Sequence, residues 1–317
     1  MKKDNTIDYQ RIIKNDLSTG KINHIRVIMI LIMIAVLVTL VIIASVITKT
    51  IETNAAEIEE EKRIQEEIAK QEELKRQEEI ARQEELKRLE EERKARFTQL
   101  TDVGKQNMEN IYHSETKRAF LTFDDGPSTV TPQILDTLKS ENIKATFFML
   151  GTSVKNFPET AKRVWEEGHY VANHGYSHVY SSIYSSTQAV LDEYNRCEEA
   201  IKEALGEPEY SSHLFRFPGG IPGGKYEGLK REAKQLLEDN NVLSIDWNAL
   251  TGDAETQHPV YEKLMAELKE TTQDKNSVVI LMHDAQAKKV TADMLPDIIA
   301  YLRGEGYEFK TFYDIIK

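Results

Sequence analysis

Two adjacent aspartates, Asp124 and Asp125, follow an apolar run at 119–123 and precede a Gly-Pro pair. The apolar run predicts a buried strand and the Gly-Pro pair predicts a turn, so both carboxylates would lie at the carboxyl end of that strand. Because adjacent strand residues point to opposite faces, the two carboxylates should do different jobs. One could bind a metal ion while the other handles a proton, although a capped turn before a helix uses the same residue types.

Two histidines, His174 and His178, are separated by four positions. This spacing predicts that both imidazoles lie on one side of a helical turn, an arrangement that suits a divalent metal. With the carboxylate of Asp125 they would form a two-histidine, one-carboxylate site with open positions for water, whose pKa a metal lowers towards neutrality. Asp124 would then be available as the general base.

Three more polar residues lie at or just after the ends of later predicted strands, and they could supply the other groups that hydrolysis needs. His283 could be the general acid, and Asp246 is a candidate to hold and charge that histidine. Arg216 could pair with Asp124 and keep the pKa of that carboxyl low.

Small and aromatic residues lie close to these groups in the sequence. Gly219 and Gly220 allow close backbone approach, so an N–H there could stabilise an oxyanion. Trp247 and Tyr176 are possible walls for a sugar ring, and core packing is an equally good explanation for both. Asp253, in a Thr-Gly-Asp segment, is predicted to lie in a turn.

From about residue 117, short apolar runs alternate with amphipathic helical segments, which predicts a parallel α/β sheet. The predicted strands lie at 119–123, 145–150, 170–172, 214–217, 242–245, 278–282 and 307–310. The predicted helices lie at 131–140, 157–167, 187–205, 227–239, 259–271 and 291–303. Seven strands fit a distorted, incomplete (β/α) barrel, in which polar residues at the strand ends would converge on one face. An open doubly wound sheet is the alternative.

Residues 27–48 carry no charge and are rich in Ile, Val, Leu and Met. As a helix, with a rise of about 1.5 Å per residue, the segment would be roughly 33 Å long, enough to cross a bilayer. Lys and Arg lie mainly before it and acidic residues dominate after it. We therefore expect an uncut single-pass anchor with 1–26 in the cytoplasm and the rest outside. A signal peptide and a buried core helix are the alternatives.

Residues 49–97 contain a charged six-residue repeat with Glu–Lys and Glu–Arg pairs at helical i, i+4 spacing. Its apolar residues, six positions apart, move around the helix and form no continuous seam. We predict a lone helical spacer, with a coiled-coil homodimer as the alternative, followed by a linker at 98–116 and a catalytic domain at 117–317. The net charge of −12 argues against nucleic acid as a partner, and the single cysteine, Cys197, excludes a disulfide within the chain.

Five ordered segments resemble the motifs of the polysaccharide deacetylases, carbohydrate esterase family four with its NodB homology domain: Thr-Phe-Asp-Asp-Gly-Pro at 122–127, His-Gly-Tyr-Ser-His at 174–178, Arg-Phe-Pro-Gly-Gly at 216–220, Asp-Trp at 246–247 and Leu-Met-His-Asp at 281–284. The resemblance covers about 117–317. It implies a distorted (β/α) barrel and a zinc-dependent, sometimes cobalt-dependent, N- or O-deacetylase.

The resemblance also implies roles for individual residues. It makes Asp124 the base, His283 the acid, Arg216 the partner of the base, Asp246 the residue that tunes the acid, the Gly219 N–H the oxyanion donor, and Asp125, His174 and His178 the metal ligands. Gly175 departs from the Ser or Thr that commonly follows the first histidine, and Asp125 is intact, which favours an ordinary metal site.

These expectations combine into a membrane-anchored deacetylase that removes acetate from N-acetylglucosamine in peptidoglycan. The alternatives are a deacetylase of chitin oligomers or O-acetylated xylan, and, from another class, a non-catalytic wall-binding scaffold.

Overall fold

The computed structural model describes residues 9–97, 99–255 and 260–316, with side chains from residue 24 onward. The chain divides into two units, Met1–Leu86 and Lys87–Lys317. Residues 1–8 of the predicted cytoplasmic tail lie outside the described residues, and so do the first residue of the predicted linker and the first of the predicted 259–271 helix.

The described residues of the first unit belong to the helix α1, Tyr9–Ala95. The charged repeat favours a helix because it contains helix formers and neither Gly nor Pro. The apolar side chains between Ile25 and Ile51 are exposed. Within the described residues, this one helix is long and apolar enough to cross a membrane, a test that a signal sequence near an N-terminus also passes.

The described part of the second unit contains eight strands, all paired in parallel. They are β1 Arg118–Asp124, β2 Thr146–Met149, β3 Tyr170–Asn173, β4 Leu214–Phe215, β5 Leu243–Ser244, β6 Ala249–Leu250, β7 Ser277–His283 and β8 Glu308–Lys310. Each of the seven predicted strands is present, and β6 was not predicted.

The helices that follow α1 are α2 Asp102–Glu109, α3 Thr131–Ser140, α4 Gly151–Asn156, α5 Pro158–Glu166, α6 Tyr180–Ile183, α7 Thr187–Leu205, α8 Glu227–Asp239, α9 Tyr261–Thr272, α10 Lys289–Gly304 and α11 Tyr313–Ile316. Each of the six predicted helices is confirmed within a few residues.

The strand order is β5-β4-β3-β2-β1-β7-β6, with β8 paired to β1. This is the cyclic order of a barrel with the β5–β6 pairing missing, so the predicted distorted (β/α) barrel is confirmed as a curled half-barrel. The doubly wound alternative requires a different strand order, with a reversal at a switch point.

The strands β5 and β6 form the two edges of the open barrel, and residues 245–248 connect them. This short stretch therefore crosses the gap in the barrel. Asn248 docks this stretch on β7: its backbone N–H donates to the Val279 carbonyl, and its side chain accepts from the Val279 N–H and donates to the Ser277 carbonyl. A two-residue strand held by a side-chain amide leaves no periodic pattern in the sequence, which explains why β6 was missed.

The described residues of the predicted linker, 99–116, are part of the folded domain. Helix α2 lies within it, and Met108 and Ile111 are buried in a cluster with Phe120 and Phe148 of the sheet and Phe312 near α11. An incomplete barrel leaves its interior uncovered on one side, and these residues fill that space. The linker prediction is therefore corrected: the folded domain begins before residue 117.

Candidate active site

Three predicted metal ligands meet at the carboxyl ends of the strands. Asp125 follows β1, and His174 and His178 follow β3. The Oδ1 atom of Asp125 lies 3.5 Å from Nε2 of His174 and 3.4 Å from Nε2 of His178. One ligand atom from each residue lies within 4.8 Å of the others, so the three could hold one metal ion.

A loop, and not the predicted helical turn, brings the two histidines together. Gly175 and His178 have positive φ angles of 86° and 57°, which no α-helix contains. The carboxylate of Glu193, on α7, accepts the N–H groups of Tyr176 and Ser177 and the hydroxyl of Ser177. This buried glutamate, which the sequence analysis missed, therefore fixes the loop that carries His178.

The protonation of the cluster suits a cation. His174 Nδ1 lies 2.8 Å from the carbonyl oxygen of Arg216, and because a carbonyl only accepts, the proton belongs on Nδ1 and leaves Nε2 bare towards Asp125. Burial lowers the pKa of His174 to about 3, so the ring is neutral at pH 7. The buried Oδ1 of Asp125 has no hydrogen-bond partner among the described residues, and a bound cation would satisfy it.

Asp124 is buried beside the same cluster, with Oδ2 3.8 Å from Nε2 of His174. The fully buried guanidinium of Arg216 donates to Oδ1 of Asp124 at 2.8 Å and to the hydroxyl of Thr122 at 2.7 Å. Arg216 also donates to the carbonyls of Ile245 and Asp246, in the stretch that crosses the barrel gap.

The pKa of Asp124 differs from the sequence prediction. Burial raises the pKa of this carboxyl above its ordinary value, and the charge and hydrogen bond of Arg216 offset only part of that rise. The expectation that Arg216 keeps this pKa low is therefore corrected. A raised pKa makes the carboxylate a stronger base than an exposed aspartate.

The histidine proposed as the acid, His283 at the end of β7, is held by Asp253 and not by Asp246. Oδ1 of Asp253 lies 2.8 Å from Nδ1 of His283, and Oδ2 accepts the His283 backbone N–H and the hydroxyl of Thr291. Burial by itself would lower the pKa of His283, but the hydrogen bond and charge of Asp253, with the charge of Asp124, raise it to about 9. His283 is therefore protonated at neutral pH.

The prediction for Asp246 is corrected. Its carboxylate accepts the backbone N–H of Ile221, which follows the two-glycine segment, and its carbonyl accepts from Arg216. Asp246 lies in the stretch that crosses the barrel gap, and Asp253 follows shortly after β6. Sequence position alone therefore did not show which of the two carboxylates contacts His283. The turn predicted at Asp253 exists, and it is what aims that carboxylate at His283.

The three candidate metal ligands, with Asp124, Asp253 and His283, line a cavity of about 370 Å³. Its lining includes Trp247, Leu250, Leu281, Tyr180 and Gly219. Trp247 therefore lines the cavity, and its role as a wall for a sugar ring stays a prediction. Tyr176 is absent from the cavity lining: its ring packs on the core, against Gly151, and the guanidinium carbon of Arg196 lies 4.0 Å from its centroid. The prediction of Tyr176 as a sugar wall is corrected.

The two glycines that follow Pro218 both have positive φ angles, 73° at Gly219 and 67° at Gly220. A Cβ atom on Gly219 would lie 2.5 Å from the hydroxyl of Tyr180, and one on Gly220 would lie 2.9 Å from the ring of Trp247. Only glycine combines this backbone with this close packing. Gly219 thus brings bare backbone to the cavity, as an oxyanion donor requires.

Comparison with known proteins identifies the family. The polysaccharide deacetylase profile matches residues 112–237. A peptidoglycan-N-acetylglucosamine deacetylase of Bacillus cereus is 35% identical over 205 residues, which make up 63% of this chain and 71% of that protein. This chain belongs to the polysaccharide deacetylase family.

Other members of this polysaccharide deacetylase family support the assignment. A peptidoglycan-N-acetylglucosamine deacetylase of Listeria monocytogenes is 36% identical over 202 residues, 63% of this chain but 39% of that longer protein. The structure of a Streptococcus mutans CE4 esterase superposes with a TM-score of 0.59 and 32% identity, and covers 68% of this chain and 92% of that one. The family resemblance read from the five motifs is therefore confirmed.

The Asp253–His283 contact predicts a shift in the pH dependence of this polysaccharide deacetylase. Asp253→Asn removes the charge that raises the pKa of His283, so the acid should lose its proton at lower pH. We expect the alkaline limb of the kcat profile to move down by at least about one pH unit. Asp246→Asn is the matched control and should leave the limb in place; the opposite pattern would restore the assignment of Asp246.

Proposed function

We propose that this protein is a membrane-anchored, zinc-dependent deacetylase that releases acetate from N-acetylglucosamine residues of peptidoglycan. One observation carries the proposal: a candidate metal-ligand set, a buried carboxylate and a protonated histidine surround the same cavity. Hydrolysis of an amide needs these three functions, namely electrophilic activation, a base and an acid.

The donor set supports zinc. Two imidazole nitrogens and one carboxylate oxygen are the ligands of a catalytic zinc site that keeps positions open. Asp125, His174 and His178 would hold the ion, and cobalt, which accepts similar donors, is the second choice. When bound, the metal would supply Lewis-acid activation of the acetamide carbonyl and of water.

The protein groups then divide the proton transfers between them. Asp124, held by Arg216, accepts a proton from the attacking water, while the Gly219 N–H donates to the oxygen that gains negative charge. His283 donates its proton to the departing nitrogen, and Asp253 stabilises the charged imidazole before that step. The carbon–nitrogen bond breaks, which leaves glucosamine and acetate.

The apolar part of the cavity fits the acetyl group. Trp247, Leu250 and Leu281 line the cavity together with His283, and their apolar side chains would shield a methyl group from water. Tyr180 also lines the cavity and would offer an aromatic surface for the sugar.

The cell-wall substrate and the topology are parts of the same proposal. The relatives from Bacillus cereus and Listeria monocytogenes carry the name peptidoglycan-N-acetylglucosamine deacetylase. Residues 27–48 would anchor the chain with its N-terminus in the cytoplasm, and 49–97 would act as a charged helical spacer outside. An extracellular domain on such a helix can reach the wall.

The test is acetate release from a panel of substrates by the full-length chain, purified in detergent and supplied with zinc. We expect turnover of peptidoglycan to exceed that of chitooligosaccharides and of O-acetylated xylan. Faster turnover of either alternative would reassign the substrate. Glycan binding without acetate release from any of the three would indicate the non-catalytic scaffold.

A further inference from the structure

Lys230, on α8, is a buried cation close to the cavity. Its side chain and backbone together are 4% exposed, although lysine is almost never fully buried unless it is paired. Its Nζ atom donates to the carbonyl oxygen of Gly220 at 2.5 Å and to that of Pro218 at 3.3 Å. Nζ also lies 4.7 Å from the ring centroid of Tyr184. Backbone carbonyls and an aromatic face are therefore its immediate partners.

The two carbonyls that Lys230 contacts flank Gly219. The Pro218 carbonyl belongs to the same peptide group as the Gly219 N–H, and the Gly220 carbonyl lies one residue further along. The hydroxyl of Tyr184 donates to the Pro218 oxygen as well, at 2.7 Å. Two donors therefore converge on the oxygen of the peptide whose N–H would face the substrate.

Such contacts have two physical consequences for that N–H. Hydrogen bonds along a chain polarise one another, so donors at the carbonyl oxygen make the N–H of the same peptide a stronger donor. The contacts also restrain the direction of the N–H, and two consecutive glycines at positive φ need that restraint because glycine is conformationally permissive.

Burying an ammonium group has a substantial cost that two neutral carbonyls offset only in part. Burial also lowers the pKa of Lys230 below its ordinary value, an effect that the charges of Asp246 and Glu227 counteract. A hydrophobic residue would fill the same space without that cost, so packing alone does not explain a lysine here.

We propose that Lys230 is a positioning residue for catalysis, which orients and polarises the Pro218–Gly219 peptide so that its N–H stabilises the oxyanion. This inference rests on the proposed deacetylase function. It assigns to α8 a part in the reaction, although no residue of α8 lines the cavity among the described residues.

The test compares Lys230→Met with Lys234→Met in the full-length protein, with kcat, KM, zinc affinity and melting temperature measured for each. Lys234 lies one helical turn further along α8, is exposed, and pairs with Glu238 at 3.4 Å. Losing a whole oxyanion donor costs about 100- to 1,000-fold in kcat, so a misaligned one should cost about 10- to 100-fold. KM and zinc affinity should stay near wild type, because the oxyanion forms only in the transition state.

A structural role would give a different pattern, in which the loss of kcat follows a loss of folded protein or of zinc. That pattern, or a wild-type kcat for Lys230→Met, would overturn the inference. Lys230→Arg retains a cationic donor and should recover part of the lost kcat.

Tyr184→Phe keeps the test valid even if Lys230→Met does not fold. It removes only the second donor to the Pro218 oxygen, and we expect kcat to fall by about 3-fold with KM unchanged, the effect of one weak hydrogen bond. A wild-type kcat for Tyr184→Phe would then count against the inference. Wild-type protein that releases no acetate would instead refute the proposed function itself.

Discussion

Replacing Asp124 with asparagine should reduce kcat for acetate release by about 1,000-fold, within the range expected for loss of a general base. The change removes the proton acceptor and almost nothing else. An asparagine oxygen can still accept the 2.8 Å hydrogen bond from Arg216, so the buried guanidinium keeps a partner. Zinc affinity should change little, because the candidate ligands are Asp125, His174 and His178. Single-turnover kinetics and zinc titration of the same preparation would separate the two quantities.

The matched control for this change is Asp136→Asn. Asp136 lies on α3, is largely exposed and pairs with Arg163 at 2.6 Å. Because exposed ion pairs contribute little to stability, this variant should retain wild-type kcat. If Asp124→Asn also retained its kcat, the carboxylate would not be the base, and the division of labour between the two adjacent aspartates would be wrong.

Replacing His178 with asparagine should lower the affinity for zinc by more than about 100-fold. Losing a residue that only hydrogen-bonds to a metal ligand costs about 10- to 100-fold in metal affinity, and losing a ligand itself should cost more. The imidazole supplies one of the three candidate ligand atoms, and the shorter asparagine amide cannot reach the same point. Asparagine is the appropriate replacement because the φ angle of His178 is 57°, a left-handed conformation that asparagine tolerates. Acetate release should fall in parallel with zinc occupancy and recover in part at high zinc.

His213→Asn is the matched control, because His213 also has a positive φ, 50°, and bonds through Nδ1 to the Asn241 carbonyl away from the cavity. His213→Asn makes the same replacement as His178→Asn, at a residue with the same left-handed backbone conformation. Zinc affinity should stay at the wild-type value in this variant. Equal zinc affinities for the two variants would show that His178 is not a ligand.

Local sequence patterns were sufficient for most of the fold. Strands buried on both faces give continuous apolar runs, and amphipathic helices between them give a 3.6-residue period, so both were predicted. The pairing of β6 with β7 depends instead on single contacts. The Asn248 side chain holds β6 against β7, and no periodic pattern in the sequence indicates this contact.

The same distinction separates the site residues that the sequence located from those it did not. Asp124, Asp125 and His283 end strands, and strand ends of a barrel converge, so their proximity follows from topology. Asp253 and Glu193 reach the site from a loop and from a helix, where the side-chain direction depends on tertiary packing. Four-residue histidine spacing likewise predicted the pairing but gave the wrong local structure, because a loop braced by Glu193 replaces the helical turn.

For neighbouring residues within one motif, it was hardest to predict from the sequence which side chain enters the cavity. Trp247 lines the cavity, whereas the carboxylate of the adjacent Asp246 accepts the Ile221 N–H. Tyr176, between the two histidines, packs on the core. A motif indicates that a segment lies at the site, and only the backbone conformation decides which of its side chains enters the cavity.

Zinc titration of metal-stripped protein tests the central claim most directly. The full-length chain would be treated with a chelator, dialysed, and assayed for acetate release as zinc is added back in increments. We predict no turnover at zero zinc and a linear rise that ends at one ion per chain, with His178→Asn failing to reach that plateau at the same zinc concentrations. Full activity in protein shown to be free of metal would contradict the assignment of Asp125, His174 and His178 as a catalytic metal site.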